Sequence, residues 1–513
     1  MRLHTAALTV LILHVSAAGG GAQAPGPRHL SRAVLEDKIR GGWAGQMIGV
    51  SYGAPTEFRS NGRIINWQIG WAPDNVSNAI NQDDLYVEMT FAEVLDTVGL
   101  DATSEQFGDM FKNSRYELWH ANASARRLLN NGIKAPLSGD PRYNAHANDI
   151  DFQIESDFIG LMTPGLPQEA NRIADRVGRV MNYGDGLYGG MFFGGIYAAA
   201  FFESDPRKVV EMGLKSIPAD SGYGRIIADV LKWSAENPRD WQKTWRLITE
   251  KWDRDDPCPD GALDDFNIDA RLNGAFVALG LLYGERDFAK TLEVSARAGQ
   301  DSDCNPSSAA GILGVMLGYN GIPDQWKSGI PKLADTKFAY TRYSFNEIAA
   351  STVARALKVI QKAGGTVSDT EVVVPPQDPK APKLEQWAVD PPTERLESTS
   401  GAFKWSAGWT ARPDRDGNAM SSTEAGAEAT LRFTGTGVLV VGDYTDKGGR
   451  AEVLLDNQKA GEINAKKVPH TNDNVYWFVT GLKGGPHTVV IRVLPSEAGT
   501  SGVRIDRAVV YGK

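Results

Sequence analysis

Residues 299–319 read GQDSDCNPSSAAGILGVMLGY. Asp301 and Asp303 stand two apart at the head of a run that is small and apolar nearly all round. The run reads as a buried central helix, with Asn305 or Asp303 as its cap and Pro306 in its first turn. Capping explains one carboxylate there, not two. A second pair, Asp83-Asp84 in NQDDLYVEM, also precedes a helical pattern, carried by Leu85, Met89, Ala92 and Leu95. Either pair alone reads as a cap with charge favourable to the helix dipole. Two acidic starts that both lead into buried helices imply a balancing cation, because desolvated carboxylates repel one another and protonate. Hard divalent cations take carboxylate and carbonyl oxygens, and Mg²⁺ favours octahedral oxygen sites. The seven histidines do not cluster with cysteine, so zinc spacing is not indicated. Two Asp pairs bridging two ions can activate a water and orient substrate hydroxyls. The sequence does not show that the pairs meet.

Around this stretch the pattern stays helical from residue 33 to 363. AVLEDKIRGGWAGQMIGV places Leu35, Ile39, Trp43 and Met47 at four-residue steps, and Gly41, Gly45 and Gly49 form a small-residue row suited to close helix packing. GGMFFGGIYAAAFFES and RLNGAFVALGLLYG read as further central helices. QEANRIADRVGRVMNY and SFNEIAASTVARALKVIQKAG are amphipathic and read as outer ones. Residues 364–393 are rich in Pro and charge and read as an extended linker. From 394 to 513 short alternating strands separated by Gly turns predict a β-sandwich or jelly roll. The fold class expected is therefore multidomain, an all-α domain followed by an all-β sandwich.

The N-terminus, MRLHTAALTVLILHVSAAGGGAQAPGP, has a basic start, a short apolar run and small residues. Residues 1–24 read as a signal peptide, which implies a periplasmic or secreted protein. No later segment is apolar enough to span a bilayer. The net charge of −9 argues against a nucleic-acid partner.

Further acidic segments are PTEF (Glu57), NDIDFQIESD (Asp149, Asp151, Glu155, Asp157) and DDFNIDARLNG (Asp264, Asp265, Asp269). With these motifs in view, the helical domain resembles the ADP-ribosylglycohydrolase family. The early motif stands as Gln82-Asp83-Asp84 and the late one as Asp301-Ser302-Asp303-Cys304. GGWAGQMIGVSYGAPTEF resembles the family's first helix and its Glu-terminated loop, with Glu57 at the Glu position. The resemblance covers most of residues 33–330 and implies an all-helical fold holding two Mg²⁺ ions. Gln46 stands where the family often has Asp, Gln82 where it has Thr, and Cys304 where it has the last Thr. An acidic segment replaces the family's Asn-Gly loop. A soft Cys304 suits Mg²⁺ poorly, and a disulfide between Cys304 and Cys258 is expected instead. The last hundred residues resemble galactose-binding-like, carbohydrate-binding sandwiches.

The resemblance thus implies a glycosidic-bond hydrolase with Gln82, Asp83, Asp84, Asp301 and Asp303 as Mg²⁺ ligands. Glu57 and Asp303 are the expected proton-transfer groups. Asp149, Asp151, Tyr183, Asp185, Asn267 and Asp269 are expected to line a sugar pocket, with Trp67 and Trp71 stacking on a sugar face or packing in the core. An Asx-turn for Asp149 and Asp151, and a Gly-rich turn around Tyr183 and Asp185, are the structural alternatives. Export and the sandwich favour a carbohydrate or glycoside substrate. Release of ADP-ribose is the second reading, and a metal-free remnant serving as a carbohydrate-binding protein the third.

Overall fold

The computed structural model describes residues 26–387, 389–413, 418–496 and 499–513. The expected signal peptide, residues 1–24, lies outside them.

The helical domain is built on one tight pair. Helix Arg32–Gly53, capped by the Ser31 hydroxyl, runs antiparallel to helix Cys304–Leu317. A Cβ on Gly41, Gly45, Gly49 or Gly53 would stand 2.2, 2.1, 2.1 and 2.0 Å from the carbonyl oxygens of Gly314, Ala310, Pro306 and Ser302. The small-residue row therefore lets two backbones touch, and each step along it fixes the register. One consequence is functional. Gly53 lands on Ser302, so the loop after the first helix meets the loop before the last central one.

Helices Asp185–Ala200 and Ala270–Gly284 are buried almost all round, as their continuous apolar sequences require. Helices Pro167–Gly178 and Phe345–Lys362 bury one face each and lie outside. No helix among the described residues is long and apolar enough to cross a membrane.

Residues 364–393 differ from a free linker. Strand Glu371–Val374 pairs with the N-terminal strand Arg28–Ser31 and with Thr366–Val367. Val372 and Val374 are fully buried in the helical core. The Pro-rich run beyond is strapped to the same domain. Gln168 and Asn171 donate to the carbonyls of Asp378 and Lys380, and Arg179 pairs with Glu385 at 2.8 Å. Alternating Val side chains supply the anchoring that the composition of this segment obscures.

Among the described residues the C-terminal region forms two antiparallel sheets. One orders Gln458–Asn464, Arg450–Leu455, Gly485–Val493, Glu428–Gly435 and Phe403–Trp405. The other orders Val475–Val479, Gly437–Gly442, Val503–Tyr511, Asn418–Ser422 and Thr410–Pro413, with Pro392–Glu397 added beside Val503–Tyr511. Val438 and Val440 face the core between the sheets. Leu439, Val441, Val509 and Tyr511 face the other way, onto Ala145 and Ala262 of the helical domain. Burial on both faces explains why GVLVVG carries no polar alternation.

Polar contacts seal this joint. Leu118 N–H donates to His470 O, Asn472 N–H to Leu118 O, and the Arg127 guanidinium pairs with Asp473 at 2.5 Å.

Candidate functional site

The two acidic motifs meet. One oxygen each of Asp83 and Asp84 lies within 4.8 Å of Cys304 Sγ, and so does one oxygen each of Asp301 and Asp303. Asp83 and Asp84 open helix Asp83–Thr97 behind the N-cap Gln82, and Asp303 is the N-cap of helix Cys304–Leu317. Neither Gln82 nor Asp303 makes a side-chain capping bond. Asn305 does not cap either, since its amide donates to Asn273 Oδ1 at 2.9 Å. Asp83 Oδ1 accepts only from the adjoining Asp84 N–H, at 3.2 Å, and Asp303 Oδ1 only from the Cys304 thiol, at 3.8 Å, which leaves most of the carboxylate oxygens for another partner.

Glu57 is held opposite. The Thr56 hydroxyl bonds to Gly53 O and sits 2.8 Å from the Ser302 hydroxyl, while Phe58 N–H donates to Gln300 O. Phe58 and Gln300 flank this junction, and both take left-handed backbone, φ 48° and 58°. Such non-glycine outliers concentrate where surrounding structure over-determines a site. Glu57 is exposed, Gln82 and Asp83 half-buried, and Asp84, Asp301 and Asp303 buried, so the group has a wet mouth and a dry floor.

The floor extends beyond the two motifs. Glu88 lies one helical turn past Asp84 and accepts from Phe158 N–H, and Asp157 accepts from the Tyr197 hydroxyl. Asp84 Oδ1 and Oδ2, Glu88 Oε1 and Asp157 Oδ1 are buried without a hydrogen-bonding partner. Burial and the adjoining Asp83 charge push the Asp84 carboxyl up to about 8. Burial and the Asp84 charge push Asp303 up to about 7. Burial, with the charges of Asp303 and Glu57, holds Asp301 well above the usual carboxylate range. Glu57 is raised by desolvation and by Asp303 and Asp83. A set of orphaned oxygens with so little positive charge beside it fits a hard dication. Cys304 does not complete that set. Burial and four surrounding aspartates hold its thiol well above its ordinary value, and a protonated sulfur is a poor ligand for a hard ion.

The expected disulfide is not formed. Cys258 and Cys304 are both free and buried. They share a small apolar cluster with Ile150, Ile154 and Ile268, but Cys258 belongs with Asp256 and Asp269 while Cys304 is held among the metal-site aspartates.

Most of the residues expected around a sugar have other duties. Asp151 accepts from the Ala121 and Asn122 amides and anchors the start of helix His120–Asn130. Asp149 holds His146 Nδ1 at 2.7 Å, and its backbone bridges Asp269. Asp269 caps helix Ala270–Gly284 and grips Arg271. The side chain of Asn267 bonds the Asp253 carbonyl and the Asp269 amide. Asp185 accepts from Tyr223 N–H. Tyr183 lies under the Arg179 guanidinium, beside the strap. Trp71 is packed between Tyr52 and Trp326, with its indole N–H on Gln325 O. Trp67 differs: it is 43 % exposed and lines a cleft of about 430 Å³ with Phe58, Arg59, Asn66 and Asp265. That cleft begins at the residue after Glu57.

Sequence reasoning gave Glu88 no part, although its four-residue spacing from Asp84 puts both on one helix face. It also passed over His120, whose ring stacks on Phe266 and whose charge reaches Glu57 and Asp83. No local spacing marks that histidine.

The sequence profile of ADP-ribosylglycohydrolases matches residues 31–364. The chain belongs to the ADP-ribosylglycohydrolase family. Its catalytic class is accordingly that of hydrolases acting on glycosyl bonds. Among solved structures, an "ADP-ribosylglycohydrolase-related protein complex" aligns at 16 % identity and TM-score 0.43, over 63 % of this chain and 98 % of that one. The chain also aligns with a family 35 carbohydrate binding module from an environmental isolate, at 13 % identity and TM-score 0.19, over 23 % of this chain and 93 % of that one. It also aligns with "CBM35 from Cellvibrio japonicus Abf62", at 14 % identity and TM-score 0.20, over 23 % and 95 %. A search of curated proteins gave no match. The family is of a metal-dependent type, and the carboxylate groups around Cys304 are this member's candidate ligands.

Proposed function

We propose that this ADP-ribosylglycohydrolase family member is an exported, Mg²⁺-dependent hydrolase of a glycosidic bond in a glycan or glycoside. The observation that carries the reading is the meeting of Asp83-Asp84 with Asp301 and Asp303 around one point, unneutralised, with Glu57 at the rim. Asp83, Asp84, Asp301 and Asp303 hold two ions, with the Gln82 side-chain oxygen as a further donor. Bound there, the ions supply the charge that makes a water nucleophilic at neutral pH and that grips sugar hydroxyls.

The chain's own part is positional and protonic. Glu57, on the exposed side, exchanges a proton with the attacking water or the leaving oxygen, and Asp303 is the second carboxylate within that group. Thr56 and Ser302 fix the Glu57 loop against the Asp301 loop. Trp67 and Phe58 offer apolar faces to a sugar at the mouth. Asp149, Asp151, Tyr183, Asp185, Asn267, Asp269 and Trp71 act as scaffold in this reading.

The leader-like residues 1–24 and the carbohydrate-binding-like sandwich support a substrate outside the cytoplasm. Family membership favours a second reading, release of ADP-ribose from a modified acceptor. Hydrolysis of an oligosaccharide and aryl-glycoside panel, run beside ADP-ribosylated peptides with and without EDTA, tests both. EDTA-sensitive glycoside cleavage supports the first. ADP-ribose release without glycoside cleavage replaces it with the second. No turnover and no Mg²⁺ binding points to a remnant.

A further inference from the structure

Where the sandwich meets the helical domain, two histidines and an aspartate converge outside the acidic cluster just described. His120 is the first residue of helix His120–Asn130 and takes left-handed backbone, φ 49°. His146 lies in the loop before Asp149, and Asp260 in the loop that leads to Asp269. One ligand atom from each lies within 4.8 Å of the other two. The three positions are far apart in sequence, which is why no motif announces them.

The hydrogen bonds around them sort the free atoms. His146 is 1 % exposed; its Nδ1 sits 2.7 Å from Asp149 Oδ2, and its Nε2 is buried without a hydrogen-bonding partner. A carboxylate on Nδ1 can hold the proton there and free Nε2 to act as a ligand, the arrangement found behind metal-bound imidazoles. Asp260 Oδ1 accepts from Asn474 Nδ2 at 2.6 Å and from Arg507 at 3.1 Å. Its Oδ2 is turned to His120 Nδ1, 3.2 Å away. Asp473 Oδ1 stands 4.0 Å from His146 Nε2.

We propose that His120 Nδ1, His146 Nε2 and Asp260 Oδ2 bind one borderline transition-metal dication, Zn²⁺ being the ion they suit best, at the joint between the two domains. Two imidazoles and one carboxylate form a softer set than the all-oxygen cluster, so the ions segregate: Mg²⁺ to the aspartates, Zn²⁺ to the histidines. Donors about 2.1 Å from a tetrahedral ion stand about 3.4 Å apart; His120 Nδ1 and Asp260 Oδ2 are at 3.2 Å, and every pair in the group lies within 4.8 Å. His120 and Asp260 side chains are 18 % and 19 % exposed, which gives an ion its way in. Asp149 supports His146, and Asn474 and Arg507 from the sandwich support Asp260. An ion here therefore ties the sandwich to the helical domain.

The test uses the full chain and Zn²⁺ alone as probe, titrated by calorimetry in excess Mg²⁺. One equivalent of Zn²⁺ is expected to bind, and zinc-edge X-ray absorption is expected to show imidazole scattering from two ligands. His120→Asn and His146→Gln should each weaken binding by more than about 100-fold, beyond the 10–100-fold usual for loss of an outer-shell group. Binding fully displaced by Mg²⁺, an oxygen-only zinc shell, or no binding overturns the proposal and leaves a protonated histidine pair among carboxylates. The absorption spectrum comes from the unaltered protein, so it decides even where a variant does not fold.

Discussion

The hydroxyls of Thr56 and Ser302 lie 2.8 Å apart, buried, and join the end of the first helix to the loop that carries Asp301 and Asp303. Glu57 follows Thr56 directly, so its place over the aspartates depends on that bond. Thr56→Val keeps the shape and leaves Ser302 unpaired. It should cost about 1–3 kcal/mol of stability and lower kcat more than it raises KM, while Thr56→Ser retains both. Denaturant unfolding and steady-state kinetics on a cleaved substrate check this.

The backbone contact between the first helix and the last central one leaves no room for a methyl group. Gly49→Ala places its Cβ 2.1 Å from Pro306 O. Alanine is the better helix former by about 1 kcal/mol, yet the clash should reverse that sign and cost about 1–3 kcal/mol or more. Gly70→Ala, which meets nothing within 4 Å, should stay near neutral. Melting temperatures of the two variants give the comparison.

The acidic floor makes the metal-free protein sensitive to alkali. Asp84, Asp303 and Asp157 are raised from 3.8 to about 8, 7 and 7, each first by burial. Between the unfolded and folded values the native state holds the protons, so its stability is greatest below about pH 4 on this account and falls as pH rises through 7 to 8. The melting temperature in EDTA should decline over that window. Added Mg²⁺ should restore more at pH 8 than at pH 5. Asp84→Asn should flatten the decline and abolish the Mg²⁺ shift. A Mg²⁺ shift that stays equal at both values contradicts the assignment.

The two thiols should be silent in the folded protein. Cys258 and Cys304 are 0 % and 5 % exposed. A thiol reagent should find both in denaturant without reductant and neither in native buffer. Cys304→Thr restores the hydroxyl found in the family's late motif and should tighten Mg²⁺ binding, read by calorimetry.

Much of this was legible in the residues. The Gly41-Gly45-Gly49 row announced a close helix contact, and the two Asp pairs announced a cluster of carboxylates that is a candidate cation site, because both signals are local. The partners were not local. The mate of the glycine row is the backbone around 302–314, and nothing in either segment names the other. The sugar-lining expectations rested on residue type in polar loops. There Asp151, Asn267 and Asp269 are consumed by backbone amides and an arginine, which composition does not reveal. The Val372 and Val374 anchors were hidden by the prolines that follow them. The unbroken apolar run in GVLVVG held a clue to a second buried face, and with it the domain joint.

The pairing of Arg28–Ser31 with Glu371–Val374 bears on how the chain is made. His29 bonds Glu371 across 342 residues. A growing chain carries that first strand unpaired until residue 374 has emerged, long after the glycine-lined helix is synthesised. Contacts of such long range slow folding and keep early segments open. The helical domain therefore cannot close in step with its synthesis, and its N-terminal strand remains available to chaperones until residue 374 has been made.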